Sequence, residues 1–377
     1  MYEFFFNIAN LVNIYALYTL CITISFQIVQ QFFLSDSNFI KHITFYVILN
    51  QNHIIMRRLI IFLLSATCLA TICSGSNPWK EITYADPTIF AENGKYYMTG
   101  TRNREPLGFG ILESTDLKHW RVPNGDTLQL ILAKGQGSFG EKGFWAPQYF
   151  KEKGKYYYTY TANEQTCIAS AKSVFGPFKQ KEVKPIDASE KNIDSFLFKD
   201  DDGKIYLYHV RFKKGNHLWV AEFDLKKMCI IPETLKHILS CTDEWEMTPN
   251  YKSVPIMEGP TVVKWDGLYY MFYSCNHFRN IDYSVGYATS TSPYGPWTKH
   301  QNNPIIHKSI VGENGSGHGD LFKGFDGRYY YIYHVHNSES NVVPRKTRIV
   351  PLNIVKGEDG IYSVTADKEN VIIPVWK

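Results

Sequence analysis

The tetrapeptide Gly94-Lys95-Tyr96-Tyr97 decides the fold, because variants of it recur four more times along the 377-residue chain. Each copy predicts the start of a strand, since aromatic residues favour the pleated, half-buried surface of a β-sheet. Five copies at similar spacing indicate internal repetition rather than chance. The other copies are Gly154-Lys155-Tyr156-Tyr157, Gly203-Lys204-Ile205-Tyr206, Gly267-Leu268-Tyr269-Tyr270 and Gly327-Arg328-Tyr329-Tyr330.

A second short strand is predicted before each tetrapeptide, joined to it by a turn. Asn93-Gly94 and Asp266-Gly267 are strong hairpin signals, because both positions of each pair tolerate a positive φ. Third strands are expected after the tetrapeptides, for example at residues 167–172 and 286–290. The first strands are predicted at residues 86–90, 146–150, 194–198, 258–263 and 318–322.

The repeat unit is therefore a small antiparallel sheet. A sheet of this size cannot bury its faces alone, and stacking copies around an axis solves the problem. The sequence predicts an all-β protein in which residues 76–377 form a single five-bladed β-propeller of four-stranded antiparallel blades.

The charge balance indicates an ordinary globular protein without a nucleic-acid partner. The formal net charge is +4 at pH 7, and 20% of the residues are charged. This is far from the basic excess that marks a nucleic-acid-binding domain. We expect the chain to act as a monomer.

The N-terminal region carries an export signal. Met56-Arg57-Arg58 is followed by the apolar run 59–64 and then by small residues, so residues 56–75 are interpreted as a signal peptide. Residues 1–55 are then upstream sequence translated in error, and the alternative is a membrane segment. We expect a secreted or periplasmic protein, with a lipid anchor at Cys73 as an alternative form of attachment.

Four cysteines follow this region. Their spacing matches no zinc pattern, so they are predicted to be buried free thiols. A disulfide is the alternative in an oxidising compartment. The four are Cys167, Cys229, Cys241 and Cys275.

Propeller geometry brings distant residues together, because the first strand of each blade lines the central channel. The residue eight or nine positions before each repeat glycine is expected to face that channel. Three carboxylates meeting there raise the cost of ionising one another, so at least one pKa must rise. Glycoside hydrolysis uses carboxyl groups of unequal pKa; the alternatives are a cation site or a hydrated channel. The five positions are Asp86, Trp145, Asp194, Glu258 and His318.

At these positions the chain resembles glycoside hydrolase family 43. The resemblance runs from about Asn77 to the C-terminus, and five short motifs in the right order carry it. These motifs are Ala85-Asp86-Pro87, Trp145-Ala146-Pro147, Ile193-Asp194-Ser195, Met257-Glu258-Gly259-Pro260 and Gly317-His318-Gly319-Asp320.

The resemblance implies an inverting hydrolase that removes terminal α-L-arabinofuranosyl or β-D-xylosyl residues from plant polysaccharides or oligosaccharides. It implies that Asp86 is the general base, that Glu258 is the general acid, and that Asp194 orients Glu258 and raises its pKa. Inverting enzymes keep their two carboxyls about 6.5–9.5 Å apart to admit a water. No cofactor is implied for the chemistry. His318 matches a histidine beside a structural Ca²⁺ or Na⁺ ion, and a neutral, hydrogen-bonded histidine is the alternative.

Further residues are expected to bind substrate. Trp145 would form a pocket wall, because an aromatic face suits the C–H face of a sugar. Arg345 resembles a family arginine that reaches the pocket, and Arg348 is the competing candidate. Phe196 and His277 complete the predicted substrate-binding set, with Phe144 as a further candidate. Core packing is the alternative for Trp145 and the phenylalanines.

Three alternatives to this function remain open. The chain could be a galactoside-acting member of the family, an endo-arabinanase-type member, or a non-catalytic carbohydrate-binding propeller. The presence of all three carboxylates favours an enzyme, because a binding module does not need them.

Overall fold

The computed structural model describes residues 78–123, 125 and 127–377. The predictions for residues 1–55 and 56–75 and for Cys73 lie outside the described residues. Residues 78–377 form one compact unit. Its regular structure is almost entirely β, which confirms the all-β prediction. Among the described residues, none of the helices is both long and apolar enough to cross a membrane.

Short strands joined by tight turns make up the described chain. Its helices are the α-helix α1 (Lys308–Val311) and the 3₁₀ turns Pro232–Thr234, Glu244–Glu246 and Lys368–Asn370. In chain order the strands are β1 (Lys80–Glu81), β2 (Ala85–Glu92), β3 (Lys95–Thr101), β4 (Gly108–Gly110), β5 (Leu112–Ser114), β6 (His119–Trp120), β7 (Leu130–Ala133), β8 (Trp145–Glu152), β9 (Lys155–Ala162), β10 (Gln165–Ala171), β11 (Asn192–Lys199), β12 (Ile205–Phe212), β13 (Asn216–Asp224), β14 (Cys229–Ile230), β15 (Lys236–Leu239), β16 (Met257–Trp265), β17 (Leu268–Cys275), β18 (Ser284–Ser290), β19 (Thr298–Lys299), β20 (Gly317–Lys323), β21 (Tyr329–Val335), β22 (Lys346–Lys356), β23 (Tyr362–Ala366) and β24 (Val375–Trp376).

Five antiparallel sheets follow one another along the chain. Sheet 1 is β2-β3-β5, sheet 2 is β8-β9-β10, and sheet 3 is β11-β12-β13 with β14 and β15 both on β13. Sheet 4 is β16-β17-β18-β19 and sheet 5 is β20-β21-β22-β23. Four strands in line, as predicted, therefore occur in sheets 3, 4 and 5. In sheets 1 and 2 an isolated β-bridge stands in place of a fourth strand. The bridge joins Glu113 to Arg121 in sheet 1 and Ser170 to Lys179 in sheet 2.

The predicted hairpin turns are present, with one difference. Asn93-Gly94 and Asp266-Gly267 have positive φ at both residues, as a two-residue hairpin requires. In sheets 3 and 5 only the glycines, Gly203 and Gly327, have positive φ. The turn there is longer, and the Gly203 N–H donates to the Asp200 carbonyl.

The first strands of the five sheets contact one another in a cycle. β2 contacts β8, β8 contacts β11, β11 contacts β16, β16 contacts β20, and β20 contacts β2. The two ends of the described chain also meet, because β24 lies between β1 and β6. The count of five blades stays a prediction.

Each first strand carries a β-bulge near its N-terminal end. A bulge redirects a side chain and is common beside active sites. The sequence aligned Trp145 and Glu258 with Asp86. In the structure the position of Asp86 at the bulge is instead occupied by the next residue in each case, Ala146 and Gly259. The residues with positive φ at the bulges are Asp86, Ala146, Asp194, Gly259 and His318.

Aromatic side chains fill the spaces between neighbouring sheets. Phe144 is buried among them and stacks on Tyr160 with ring centroids 5.8 Å apart. This contact explains its position by core packing. All four cysteines of the described chain are free thiols; Cys167 and Cys275 are buried, as predicted, whereas Cys229 and Cys241 are only partly covered.

Candidate active site

Asp86, Asp194 and His318 meet where the first strands converge. The His318 Nδ1 atom lies 3.5 Å from Asp86 Oδ1 and 3.8 Å from Asp194 Oδ2. All three side chains are buried, and Glu258 beside them is buried as well. Residues separated by more than a hundred positions therefore share one small polar site.

Asp86 is held by donors from two sheets. Arg345 Nη1 donates to Oδ1 at 3.0 Å, and the Thr101 hydroxyl donates to Oδ2 at 2.7 Å. His334 Nδ1 lies 3.4 Å from Oδ1. These contacts fix the carboxylate plane from both of its oxygens.

The surroundings of Asp86 favour its ionised form. Burial alone would raise the pKa of Asp86, but Arg345, His318 and His334 outweigh it and hold that pKa well below the usual range. Burial and the Arg345 charge also keep the pKa of His334 well below its ordinary value. The Nδ1 atom of neutral His334 accepts the Asp86 N–H at 3.2 Å, and Arg345 Nη1 lies 3.1 Å from His334 Nε2.

Glu258 has the opposite tendency. Burial raises the pKa of Glu258, and the negative charge of Asp86 adds to the effect. Two side chains position its carboxyl: the Tyr283 hydroxyl donates to Oε1 at 2.7 Å and Asn216 Nδ2 donates to Oε2 at 3.1 Å. Both donors oppose the rise in pKa. A protonated carboxyl in a fixed direction can donate a proton to a substrate oxygen.

Asp194 interacts electrostatically with both of these groups. Burial, together with the charges of Glu258 and Asp86, raises the pKa of Asp194 to about 7 against the opposing charge of His318. Its buried Oδ2 atom has no hydrogen-bond partner among the described residues. Because Asp194 and Glu258 interact strongly, the pair titrates as a unit and holds a proton near neutral pH.

His318 responds to the same charges. Burial lowers the pKa of His318, but Asp194, Asp86 and Glu258 outweigh that effect and raise it above the ordinary value. Its cationic form therefore balances part of the negative charge of the site. Gly259 makes room for the ring, because a Cβ atom there would lie 2.8 Å from His318 Cδ2.

Backbone amides link each bulge to the sheet before it. In four sheets the N–H of the bulge residue donates to a side chain at the end of the preceding sheet's second strand. The exception is the bulge of sheet 4, because the corresponding residue at the end of the second strand of sheet 3 is Val210, whose side chain cannot accept a hydrogen bond. The Gly259 N–H of this bulge instead donates to the Asp194 carboxyl and lowers the pKa of Asp194. The four links are Asp86 to His334 at 3.2 Å, Ala146 to Thr101 at 2.9 Å, Asp194 to Thr161 at 3.2 Å and His318 to Ser274 at 2.8 Å.

A small cavity of about 30 Å³ lies beside these residues and extends to Asp320. Burial raises the pKa of Asp320 to about 6, although the Thr88 and Thr261 hydroxyls donate to it and oppose the rise. The unpartnered Asp194 oxygen suits a cation, as does the negative charge around it. However, no three histidine, cysteine or carboxylate side chains of the described residues converge here, so an ion would need other ligands, such as water, as well.

The two candidate arginines have different partners. Arg345 reaches Asp86 and also lies over the Phe278 ring, 4.7 Å from its centroid. Arg348 instead pairs with Glu313 at 2.7 Å and with Glu81 at 3.0 Å. Only Arg345 therefore contacts the carboxyl group of the site.

The remaining predicted residues lie around this centre. Trp145 is half-buried, and its Nε1 donates to Asn103 Oδ1 at 3.1 Å, so the neighbouring loop holds the ring. Phe196 is half-buried and lines the small cavity. His277 stacks between Tyr251 and Phe278, with ring centroids 4.7 Å and 4.6 Å away.

Sequence reasoning missed four residues that hold the carboxyls. Thr101 and His334 had a usable signal, because each lies seven positions after its repeat glycine, like Thr161, Val210 and Ser274. Tyr283 and Asn216 precede or begin third strands at unrelated positions of the repeat, so the repeat does not predict them.

Comparison with known proteins agrees with this arrangement. The sequence model of glycosyl hydrolases family 43 matches residues 76–361. A crystal structure of an endo-1,4-beta-xylanase from Bacteroides thetaiotaomicron VPI-5482 is 38% identical, with a TM-score of 0.72, covering 80% of this chain and 99% of that one.

Two curated relatives are more distant. A beta-D-galactofuranosidase of Aspergillus niger is 26% identical over 289 residues, which is 71% of this chain and 78% of the relative. A xylosidase/arabinosidase of Butyrivibrio fibrisolvens is 25% identical over 272 residues, which is 68% of this chain and 50% of that protein.

Proposed function

The chain belongs to glycosyl hydrolases family 43, and from this premise we propose an inverting enzyme that removes terminal α-L-arabinofuranosyl or β-D-xylosyl residues from plant polysaccharides or oligosaccharides. One observation carries the proposal. Carboxyl groups of opposite pKa tendency, Asp86 below and Glu258 above the usual range, share one buried site. Such a pair can divide base and acid duties.

Asp86 acts as the general base. Its ionised form accepts a proton from a water molecule while the water oxygen attacks the anomeric carbon. Arg345 and Thr101 keep the accepting carboxylate in one orientation. Because attack and departure occur on opposite faces of the sugar, the configuration at the anomeric carbon inverts.

Glu258 acts as the general acid. It donates its proton to the glycosidic oxygen as the bond to the anomeric carbon breaks, so the leaving group departs as an alcohol. In this proposal an ionised Asp194 raises the pKa of Glu258 by its negative charge. The Gly259 N–H lowers the pKa of Asp194 and so favours that ionised form. After turnover, Asp86 holds the water proton and Glu258 has lost its own, and exchange with solvent resets both.

Sheets 1 to 5 correspond, in this proposal, to five propeller blades around one axis. The cyclic contacts of β2, β8, β11, β16 and β20 support that arrangement. An axis of this kind places the N-terminal ends of all five first strands at one face, where substrate enters.

A structural Ca²⁺ or Na⁺ ion beside His318 is part of the proposal. The unpartnered Asp194 Oδ2 and the small cavity support it. Its effect would be to hold His318 between the two aspartates. We expect a calcium chelator to lower the melting temperature and added Ca²⁺ to restore it; an unchanged melting temperature under chelation would refute a bound calcium ion.

Endo-acting xylan hydrolysis is a second candidate. The solved structure at 38% identity is described as an endo-1,4-beta-xylanase, which favours internal cleavage of xylan. Galactofuranoside hydrolysis is supported by the more distant fungal relative at 26% identity. The products distinguish these, because an exo enzyme releases single sugars and an endo enzyme releases mixed oligosaccharides from xylan.

Export through the segment at 56–75 and action as a monomer complete the proposal. Sequencing the N-terminus of protein recovered from periplasm or medium tests the first part, with a start near residue 76 expected. Light scattering tests the second, with a mass near that of one chain expected.

The decisive experiment is hydrolysis of pentosides by the Glu258→Gln variant. Loss of the proton donor should lower kcat by about 10²–10⁴-fold on substrates with alcohol leaving groups. Nitrophenyl glycosides should lose much less, because nitrophenolate departs without a proton. Proton NMR of the first-formed anomer tests inversion.

The matched control is Glu141→Gln, which alters an exposed glutamate outside the site. Glu141→Gln should leave kcat unchanged both on substrates with alcohol leaving groups and on nitrophenyl glycosides. A Glu258→Gln variant as active as the wild type on alcohol leaving groups would exclude Glu258 as the acid. A wild type inactive on every pentoside, galactoside and plant oligosaccharide would refute the proposed reaction.

A further inference from the structure

Two cysteine side chains meet beside the candidate active site without being bonded. Cys241 Sγ and Cys275 Sγ lie 3.8 Å apart. Neither residue takes part in the proposed hydrolysis. Their thiols belong to segments 34 positions apart in the sequence, so a bond between them would close a loop of that length.

The two residues have unequal freedom to move. Cys275 ends β17 and is paired on one side with Met257 of β16 and on the other with Ser284 of β18. Cys241 lies in the segment after β15, where its thiol donates to the Ile256 carbonyl. A disulfide needs the sulfur atoms about 2.05 Å apart. The observed sulfur–sulfur distance exceeds that of a bond by less than 2 Å, and Cys241 lies outside the strands, where no ladder of strand hydrogen bonds holds it.

A metal site is the competing explanation of this cluster. The ligand atoms of Cys241, Cys275 and Glu246 lie within 4.8 Å of one another. The Glu246 carboxylate, however, is already occupied. It accepts hydrogen bonds from the Thr242 and Asp243 amides and from the Tyr273 hydroxyl, and it pairs with Lys299. A carboxylate with four donors has little capacity left for a cation, so the thiols stand as a pair.

We propose that Cys241 and Cys275 form an intramolecular disulfide when the protein meets a disulfide oxidant, such as oxidised glutathione or the thiol oxidase of an exported compartment. This inference goes beyond glycoside hydrolysis and does not depend on it. The bond fastens the segment after β15 to the end of β17.

The reaction balances as two thiol–disulfide exchanges. The Cys241 thiolate attacks one sulfur of the oxidant disulfide, forming a mixed disulfide and releasing one oxidant thiol. The Cys275 thiolate then attacks the Cys241 sulfur and releases the second oxidant thiol. The two protein thiols lose two protons and two electrons, and the oxidant gains both. Burial raises the pKa of the Cys275 thiol, which makes the less buried Cys241 the first to react.

The bond would reinforce contacts that already join the same two segments. Thr248 N–H donates to Asn276 Oδ1 at 2.8 Å, and Asn276 Nδ2 donates to the Trp245 carbonyl at 2.8 Å. Asn276 is followed by His277 and Phe278, and Phe278 lies under Arg345. The disulfide would therefore fix the loop that surrounds the Asp86 side of the site.

The test is thiol mapping of the whole chain after incubation with oxidised glutathione. Denatured, non-reduced protein is treated with iodoacetamide and digested. We expect one peptide pair joined through Cys241 and Cys275, about 2 Da lighter than the sum of its two thiol peptides. Recovery of both cysteines as alkylated thiols would overturn the proposal. If one equivalent of Zn²⁺, and not oxidised glutathione, blocks alkylation of both cysteines in the native protein, a metal site replaces the proposal.

A thermal measurement tests the same bond independently. Closing a loop of this length should raise the Tm of the oxidised protein by about 5 °C over the protein reduced with dithiothreitol. Cys241→Ser should remove this difference, whereas Cys229→Ser, a change at another half-buried thiol, should keep it. An equal difference in Cys241→Ser would contradict the assignment even if peptide recovery were poor.

Discussion

Arg345 gives Asp86 its charge state. Nη1 lies 3.0 Å from Asp86 Oδ1, and both side chains are buried, where solvent screens the pair weakly. A carboxylate that stays ionised is always ready to accept the proton of water. The low pKa also makes Asp86 a weak base, so its orientation by Thr101 and Arg345 has to supply what basicity does not.

The residue-scale prediction is Arg345→Met. Removing an opposite charge at this distance raises a carboxyl pKa by about one to three units, so the pKa of Asp86 should rise. In the proposed mechanism Asp86 must be ionised. As the pH is lowered, Arg345→Met should therefore lose activity at a higher pH than the wild type does. The alkaline limb, set by the Asp194–Glu258 pair near pH 7, should move much less. The pH profile of kcat/KM measures both limbs.

Arg348→Met is the matched control for this prediction. Arg348 is as buried as Arg345 but pairs with Glu313 and Glu81. It should lower the Tm and leave the acid limb in place. If kcat/KM falls at the same acidic pH in Arg345→Met and in the wild type, Arg345 does not set the charge of Asp86.

At this scale the sequence predicted which carboxyl groups meet better than it predicted the side chains that hold them. Asp86, Asp194 and Glu258 stand eight or nine positions before repeat glycines, so the repeat alone indicated that they lie together. Tyr283 and Asn216 hold Glu258 from third strands, whose starts differ from sheet to sheet. A tyrosine among 26 tyrosines carries no sign of its role until the chain is folded.

The β-bulges are the elements that turn strands into a site. A regular first strand would alternate its side chains between two sheet faces. The bulge breaks that alternation. In sheets 1, 3 and 5 the residue with positive φ itself carries the side chain of the site, Asp86, Asp194 or His318, whereas in sheet 4 Glu258 precedes it. The sequence predicted each first strand from its aromatic pattern. Bulges have no such pattern. The sequence therefore aligned Trp145 and Glu258 with Asp86, whereas in the structure the residues that match Asp86 are Ala146 and Gly259.

Gly259→Ala tests the bulge of sheet 4. The new Cβ would lie 2.8 Å from His318 Cδ2 at a residue with a φ of +60°, so both ring and backbone must shift. Since His318 faces Asp86 and Asp194, we expect kcat/KM to fall by about tenfold or more, because small misplacements at a reacting centre are costly. Activity assays and thermal melting measure the two effects.

Gly267→Ala separates displacement from backbone strain. Gly267 also has a positive φ, +84°, but a Cβ atom there meets nothing within 4 Å. Gly267→Ala should lower the free energy of unfolding by about 1–2 kcal/mol and leave kcat/KM unchanged. If both variants lose activity equally, backbone strain rather than contact with His318 explains the loss at Gly259.

For the whole molecule, the two ends of the described chain share one small sheet. Val375 pairs with Glu81 and with His119, and Trp376 pairs with Lys80 and with Trp120. Trp376 also packs against the core cluster that contains Trp120 and Ile332, between sheets 1 and 5. The sequence indicated the repetition of sheets but not this contact, because two-residue strands have no periodicity to detect.

Ending the chain after Pro374 tests the contribution of this sheet. The deletion removes β24 with its hydrogen bonds to both β1 and β6, together with the Trp376 side chain. We expect the Tm to fall by about 5 °C or more. Deleting Lys377 alone is the control and should change the Tm by about 1 °C or less, since Lys377 is exposed and outside the strand. Equal melting of the longer deletion and the wild type would show that β24 contributes nothing to stability.

The amide links from each bulge to the preceding sheet have a consequence for how the enzyme matures. Thr101 accepts the Ala146 N–H from sheet 2 while its own hydroxyl donates to Asp86, so docking of sheet 2 on sheet 1 fixes the side chain that orients the proposed base. A chain whose sheets have formed but not yet docked exposes its carboxyls to water, where each ionises near pH 4 and none retains a proton to give away. We therefore expect a chain whose sheets have not yet docked to be inactive toward carbohydrates.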